Sequence, residues 1–189
     1  MIWGKDIVVC FSGHRYYAAA AADEGRLAAA VEQAVGDGYR VFVSGMAPGF
    51  DLAAAEAVVR CRSERVRGAD FSGGASGGGH SSDIRLVAAV PFARQAAGYS
   101  DVDRARYEAL LAAADEVCVL AEGYSHGCYF RRDEWMVERA SRLICWYDGG
   151  AGGSRASGAS GSGTRYTVRR ALAAGLDIVN VFRDPDTLF

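Results

Sequence analysis

The residues best suited to chemistry lie where short apolar runs end. Phe11-Ser12-Gly13-His14-Arg15 closes the first such run. Gly13 lets a ligand approach the backbone closely, and Arg15 offers charge-assisted hydrogen bonds to a phosphate or carboxylate. The same residues also read as a tight turn with solvated polar side chains, and His14 as a base or sugar contact or as packing. Ser44-Gly45-Met46-Ala47-Pro48-Gly49-Phe50-Asp51 follows the second run and leads straight into an Ala-rich stretch. Small residues there free backbone N–H groups to face an anion, and the start of the next helix adds its positive dipole end, so this loop is the more specific phosphate cradle. Asp51 has two readings: an N-cap of the helix it opens, or a carboxylate that binds ribose hydroxyls. Glu56 lies off the four-residue face that would join it to Asp51. The loop does not have the G-x-G-x-x-G spacing of a dinucleotide fingerprint.

Three later junctions add to these. Pro91 ends the third run, and Phe92 and Gln95 form a base-recognition pair, an aromatic to stack and an amide to read; core packing of Phe92 is the competing reading. After the fourth run, Tyr124 to Met136 carries Arg131 and Arg132 close to a helix start, where positive charge opposes the dipole. That placement calls either for an anionic partner or for pairing with Asp133 or Glu134. Cys128 has no neighbour that would make it a nucleophile. The fifth run ends at Tyr147-Asp148-Gly149, and Gly161-Ser162-Gly163-Thr164 precedes another helical stretch, a second phosphate cradle. In a parallel sheet both cradles fall on one edge, able to hold two ends of one ligand. On this reading Val at position 45 removes ligand binding and leaves the fold largely intact.

The elements that must position these residues are legible as alternation. Ile7 to Phe11, Val41 to Val43, Ile84 to Val90, Val117 to Leu120, Leu143 to Tyr147 and Ile178 to Phe182 are nearly continuously apolar, the pattern of strands covered on both faces. Helical stretches lie between them at Asp23 to Val35, Asp51 to Arg60, Val102 to Ala114, Phe130 to Ala140 and Arg165 to Ala174. Leu27, Val31 and Ala34 form one stripe at helical spacing. The expected fold is α/β: a Rossmann-like open, mainly parallel sheet of about six strands with helices on both faces, binding its ligand at the carboxyl ends of the strands. Strand order is not readable. Gly68 to Ser82 and Gly149 to Gly163 are dense in Gly, Ser and Ala and read as mobile surface loops.

Composition sets the outer bounds. The 189 residues, 50% hydrophobic and 23% charged, fit a single domain, 1–189. No apolar run approaches the ~20 residues of a membrane span, and the N-terminal residues do not form a signal peptide, so a cytoplasmic protein without membrane partners is expected. Five cysteines with no C-x-x-C pair favour neither a disulfide framework nor a metal site. A net charge of −2 argues against nucleic acid as a partner and for a small ligand.

Taken in order, the motifs resemble the YpsA-like family of the SLOG superfamily, whose other branches include DNA-processing protein A and the Lonely Guy phosphoribohydrolases. The resemblance rests on Phe11 to Arg15, Ser44 to Glu56, Pro91-Phe92 with Gln95, Arg106-Tyr107, Ala114 to Glu116, Tyr124, Gly127 to Tyr129, Arg132 with Met136-Val137, Tyr147 to Gly149, and Gly163-Thr164. It implies a Rossmann-like fold, a bacterial or phage source, a nucleotide-derived ligand, ADP-ribose-like molecules among the candidates, and allows a homodimer. Two departures matter. Arg132 is followed by Asp133 where the family has Asn, and Thr167 stands where the phosphoribohydrolase motif has its glutamate. A binding or sensing domain for a nucleotide is therefore the leading expectation, with no cofactor or metal assigned. N-glycosidic hydrolysis of a nucleoside monophosphate is the alternative, using Arg132 for phosphate and Glu56, Glu134 or Asp51 as acid. Single-stranded DNA binding is the third.

Overall fold

The computed structural model describes residues 3–17, 21–71, 83–149 and 160–182. Six strands, β1 (Val8–Gly13), β2 (Val41–Ser44), β3 (Arg85–Val90), β4 (Glu116–Val119), β5 (Arg142–Trp146) and β6 (Asp177–Asn180), form one sheet in the order β4-β3-β2-β1-β5-β6. Every pairing is parallel. Between them run α1 (Ala21–Gly36), α2 (Phe50–Phe71), α3 (Asp101–Ala113), α4 (Cys128–Arg139) and α5 (Ser160–Ala173).

Successive side chains of a strand point to opposite faces, and the apolar runs supply both. Val9 and Phe11 of β1 pack with Phe42, Leu86 and the apolar sides of α1, α2 and α3, whereas Val8 and Cys10 pack with Val43, Leu143, Met136 and Val168 beneath α4 and α5. This is the expected open α/β sandwich. At its centre β1 has β2 on one side and β5 on the other, so the chain winds outward in both directions from there. A crevice opens at the carboxyl ends of the strands where the winding reverses.

Three expectations need correction. α2 runs to Phe71, well past Arg60, so 68–71 belong to a helix and not to a loop; 72–82 lie outside the described residues. Arg62 anchors this extension, donating to Asp115 at 2.8 Å and to the Ala113 carbonyl at 2.9 Å. α5 begins at Ser160 and absorbs the end of the second Gly/Ser-rich stretch, of which 150–159 lie outside the described residues. β4 is an edge strand whose Val117 and Val119 are exposed, so it is not covered on both faces. No helix among the described residues is long and apolar enough to cross a membrane.

Candidate functional site

The crevice holds a cavity of about 400 Å³. β1 and the turn after it contribute Ser12, Gly13 and Arg15; the β2–α2 junction contributes Ala47 and Asp51; and the first turn of α5 and its continuation contribute Gly163 and Thr164. The approach to α4 supplies the rest: Tyr124, His126, Gly127, Tyr129 and Phe130 around the mouth, with Arg132 and Asp133 deeper.

The 44–51 loop is held in shape by its own small residues and by a strut from outside. Ser44 Oγ donates to the Asp51 carbonyl at 2.8 Å and accepts from the Met46 N–H at 3.2 Å. Met46 is buried in the left-handed region at φ +57°, a conformation that costs a non-glycine residue energy and persists because its surroundings enforce it. Gln95 Nε2 donates to the Gly45 carbonyl at 3.0 Å, and Tyr99 OH to the Met46 carbonyl at 3.0 Å. Gly49, at φ +84°, allows the loop to pass so close to the preceding turn that a Cβ there would lie 2.5 Å from the Arg15 carbonyl oxygen.

Beneath the loop is a buried chain of charge. Arg132 Nε lies 2.7 Å from Asp133 Oδ1, and Arg132 Nη1 donates to Asp51 Oδ2 at 3.4 Å. Thr167 Oγ1 donates to Asp133 Oδ2 at 3.0 Å. Burial raises the Asp51 carboxyl to about 6 against the opposing pull of Arg132, and burial likewise pushes Asp133 upward. For Arg132 burial works against the charge, but Asp133 and Asp51 outweigh it and hold the guanidinium protonated. One cation between two carboxylates leaves the floor with an excess of negative charge when both are ionised.

The mouth is aromatic and basic. Phe92 meets Tyr124 and Tyr129 edge to face at 5.6 and 6.0 Å, and Arg15 lies over the Tyr129 ring at 5.2 Å. Tyr124 is 69% exposed. Beside the cavity, His14 Nε2 and Asp148 Oδ1 are 3.1 Å apart, and Tyr16 OH donates to Asp148 Oδ2 at 2.8 Å. Burial lowers the His14 pKa despite Asp148, and the imidazole packs against Tyr16 and Trp146.

Of the residues singled out from sequence, Ser12, Gly13, Arg15, Ala47, Asp51, Tyr124, Arg132, Gly163 and Thr164 line the cavity. Ser44, Gly45, Met46 and Gly49 stand behind its wall and shape the loop. Pro91, Phe92 and Gln95 do not line it; Phe92 supports the aromatic mouth and Gln95 is the strut. His14 and Asp148 pair with each other. Glu56 is held by Arg106 through two hydrogen bonds of 2.8 Å, and Glu134 accepts from Tyr166 OH, with Arg170 at 3.9 Å; neither faces the cavity. The three carboxyl candidates thereby reduce to Asp51. His126, Gly127, Tyr129, Phe130 and Asp133 also line the cavity, and the dense aromatic and basic run from Tyr124 to Arg132 is the sequence signal for them. Position 45 also needs correction: a Cβ there would overlap the Arg132 guanidinium and come within 2.7 Å of Asp51 Oδ2, so Val would disrupt a buried ion pair as well as any binding.

No family model matches the chain, and no curated protein matches it. A solved structure that does match is DNA processing protein A from Helicobacter pylori, described for its single-stranded DNA binding mode. The two chains share a fold. Identity is 15% with a TM-score of 0.54, and the match covers 92% of this chain and 64% of that one, so the chain spans less than two thirds of DNA processing protein A. The likeness shows a shared Rossmann-like α/β architecture. It also overturns the expectation that nucleic acid is not a partner: that expectation rested on a net charge of −2, and DNA processing protein A, on the same fold, binds single-stranded DNA. Net charge does not describe a local surface, and here Arg15 and Arg131 stand among exposed aromatics.

Proposed function

We propose that the cavity binds a nucleotide or nucleotide-derived ligand, with its phosphate at Arg15 and the start of α5 and its base at the aromatic mouth. The observation that carries this reading is the convergence, in one cavity of about 400 Å³, of the 44–51 loop, the first turns of α5, Arg15 and the Tyr124–Tyr129–Phe130 cluster. A helix start offers unsatisfied N–H donors to an anion, Arg15 adds charge, and exposed rings offer a face on which a base stacks. The order of motifs supports a place in the YpsA-like branch, acting in the cytoplasm.

Thermal-shift measurements against nucleoside monophosphates, ADP-ribose and dinucleotides test this. A ligand at a hundred times its Kd adds about 2.7 kcal/mol, which raises Tm by roughly 5–10 °C for a chain of this size. No shift with any of them overturns the reading. Chromatography of each hit for released base separates a binding domain from an N-glycosidic hydrolase, for which Asp51 is the remaining acid.

The fold shared with DNA processing protein A favours a second reading, single-stranded DNA binding. Tyr124, Phe130 and Arg131 would then act as a stacking and phosphate-contacting surface. Oligonucleotide affinity that falls steeply with salt, in the absence of mononucleotide binding, selects it.

A further inference from the structure

Resting on the nucleotide-binding reading, we infer that Asp51 makes the cavity selective for ribose: its unpartnered carboxylate oxygen accepts hydrogen bonds from the ligand's sugar hydroxyls, and the phosphate sits away from it at Arg15 and α5. The floor is the wrong place for an anion. Arg132, the buried cation there, is already shared between Asp133 at 2.7 Å and Asp51 at 3.4 Å. A phosphate brought to Arg132 would face two carboxylates; Arg15 is paired with no carboxylate among the described residues.

Acceptor capacity on the floor is concentrated in one group. Asp133 spends one oxygen on Arg132 and the other on Thr167. Asp51 Oδ2 takes the Ala47 N–H at 3.5 Å and Arg132 Nη1 at 3.4 Å, both long, and Oδ1 receives no hydrogen bond from any described residue. Yet Asp51 is only 5% exposed, and what exposure it has is to the cavity. A buried carboxylate with unused acceptor positions calls for donors, and it cannot reach bulk water freely to find them. Sugar hydroxyls are the donors that a nucleotide carries next to its phosphate. Thr167 fits this division of labour, because its hydroxyl donates to Asp133 Oδ2 at 3.0 Å and occupies the oxygen that Arg132 leaves.

Isothermal titration at pH 8 with AMP, 2′-deoxy-AMP, 3′-deoxy-AMP and inorganic phosphate tests the inference, using the wild-type chain and Asp51→Asn. In the wild type, AMP is expected to bind about 10- to 100-fold tighter than the deoxy analogue that lacks the bonded hydroxyl, the range set by one hydrogen bond to a charged group. In Asp51→Asn that preference shrinks to within about threefold, and inorganic phosphate binds both proteins alike. Equal affinities for AMP and both deoxy analogues in the wild type overturn the inference while leaving nucleotide binding intact; so does an Asp51→Asn variant that keeps the full preference. Absence of binding by every nucleotide overturns both. The wild-type series requires no variant, so the inference stays testable if Asp51→Asn folds poorly.

Discussion

Replacing Asp51 by Asn should change the stability of the folded chain by an amount that depends on pH. In the folded protein the Asp51 carboxyl titrates near 6 because burial disfavours its charge more than Arg132 restores it; Asp133 adds to the rise, and the Ala47 N–H and Arg15 oppose it. In the unfolded chain the same group titrates near its ordinary value of 3.8. Folded chains therefore hold this proton more tightly than unfolded ones between those two values, and the wild type loses stability as pH climbs through that window. The gap is about 2 pH units, or ~3 kcal/mol at 1.36 kcal/mol per unit. Asn occupies nearly the same volume and carries no charge, so the stability of Asp51→Asn relative to wild type should increase by up to ~3 kcal/mol from pH 4 to pH 7 and then level off. That corresponds to roughly 6–12 °C in Tm for a chain of this length. Urea unfolding of the two proteins at intervals across pH 4–8 measures the difference directly, and because both share every other titrating group, the pH dependence of groups that do not interact with Asp51, His14 among them, cancels. A flat difference, or one that turns against the variant with rising pH, would mean that Arg132 more than offsets burial and that the description of the floor is wrong.

Other substitutions separate the site from its scaffold. Gly45→Ala pushes a methyl group into the Arg132 guanidinium and against Asp51, and disrupting that buried ion pair should cost about 3 kcal/mol or more, read as a lower urea midpoint. Glu56→Gln breaks an ion pair with Arg106 in which the side chains are 42% and 32% open to solvent; it should cost less than about 1 kcal/mol and leave the nucleotide isotherm unchanged. Tyr124→Ala removes a largely exposed ring, so melting should match wild type while a stacked nucleotide or oligonucleotide loses roughly 1–3 kcal/mol of affinity. Cys145, whose thiol burial raises to about 12, should resist iodoacetamide in the folded chain and react once urea unfolds it, as mass spectrometry would show.

The strands were legible because a parallel sheet covered on both faces forces its strands to be apolar without interruption, and nothing else in the chain has that texture. β4 was misjudged for the same reason: Val117 and Val119 have strand character wherever they lie, and only the finished sheet makes their strand an edge. The second half of α2 escaped notice because Arg62 to Arg67 carry no apolar stripe; what anchors them is Asp115, a long-range partner. Long-range pairing also decided the carboxylates. Nothing local to Glu56 announces Arg106, and nothing near Glu134 announces Tyr166, so both remained candidates until the fold brought their partners to them. The glycine-rich loops were visible as loops, but which of their residues face inward was not: Met46 is turned into the core by a left-handed backbone, and Gly45 is obligatory for a guanidinium arriving from α4. Around the mouth, Tyr129 and Phe130 were in plain view as part of an aromatic run, and their role depended on the angle at which α4 enters.

The central position of β1 carries a consequence for biosynthesis. Its neighbours come from opposite halves of the chain, and the cavity walls do likewise: Ser12 and Asp51 emerge early from the ribosome, Arg132 and Thr164 late. A nascent polypeptide that has reached the end of β3 owns half a receptacle and can retain nothing in it. Recognition is thus acquired only once α5 has been made, and whatever occupies the hollow afterwards rivets an earlier stretch of the chain to a later one.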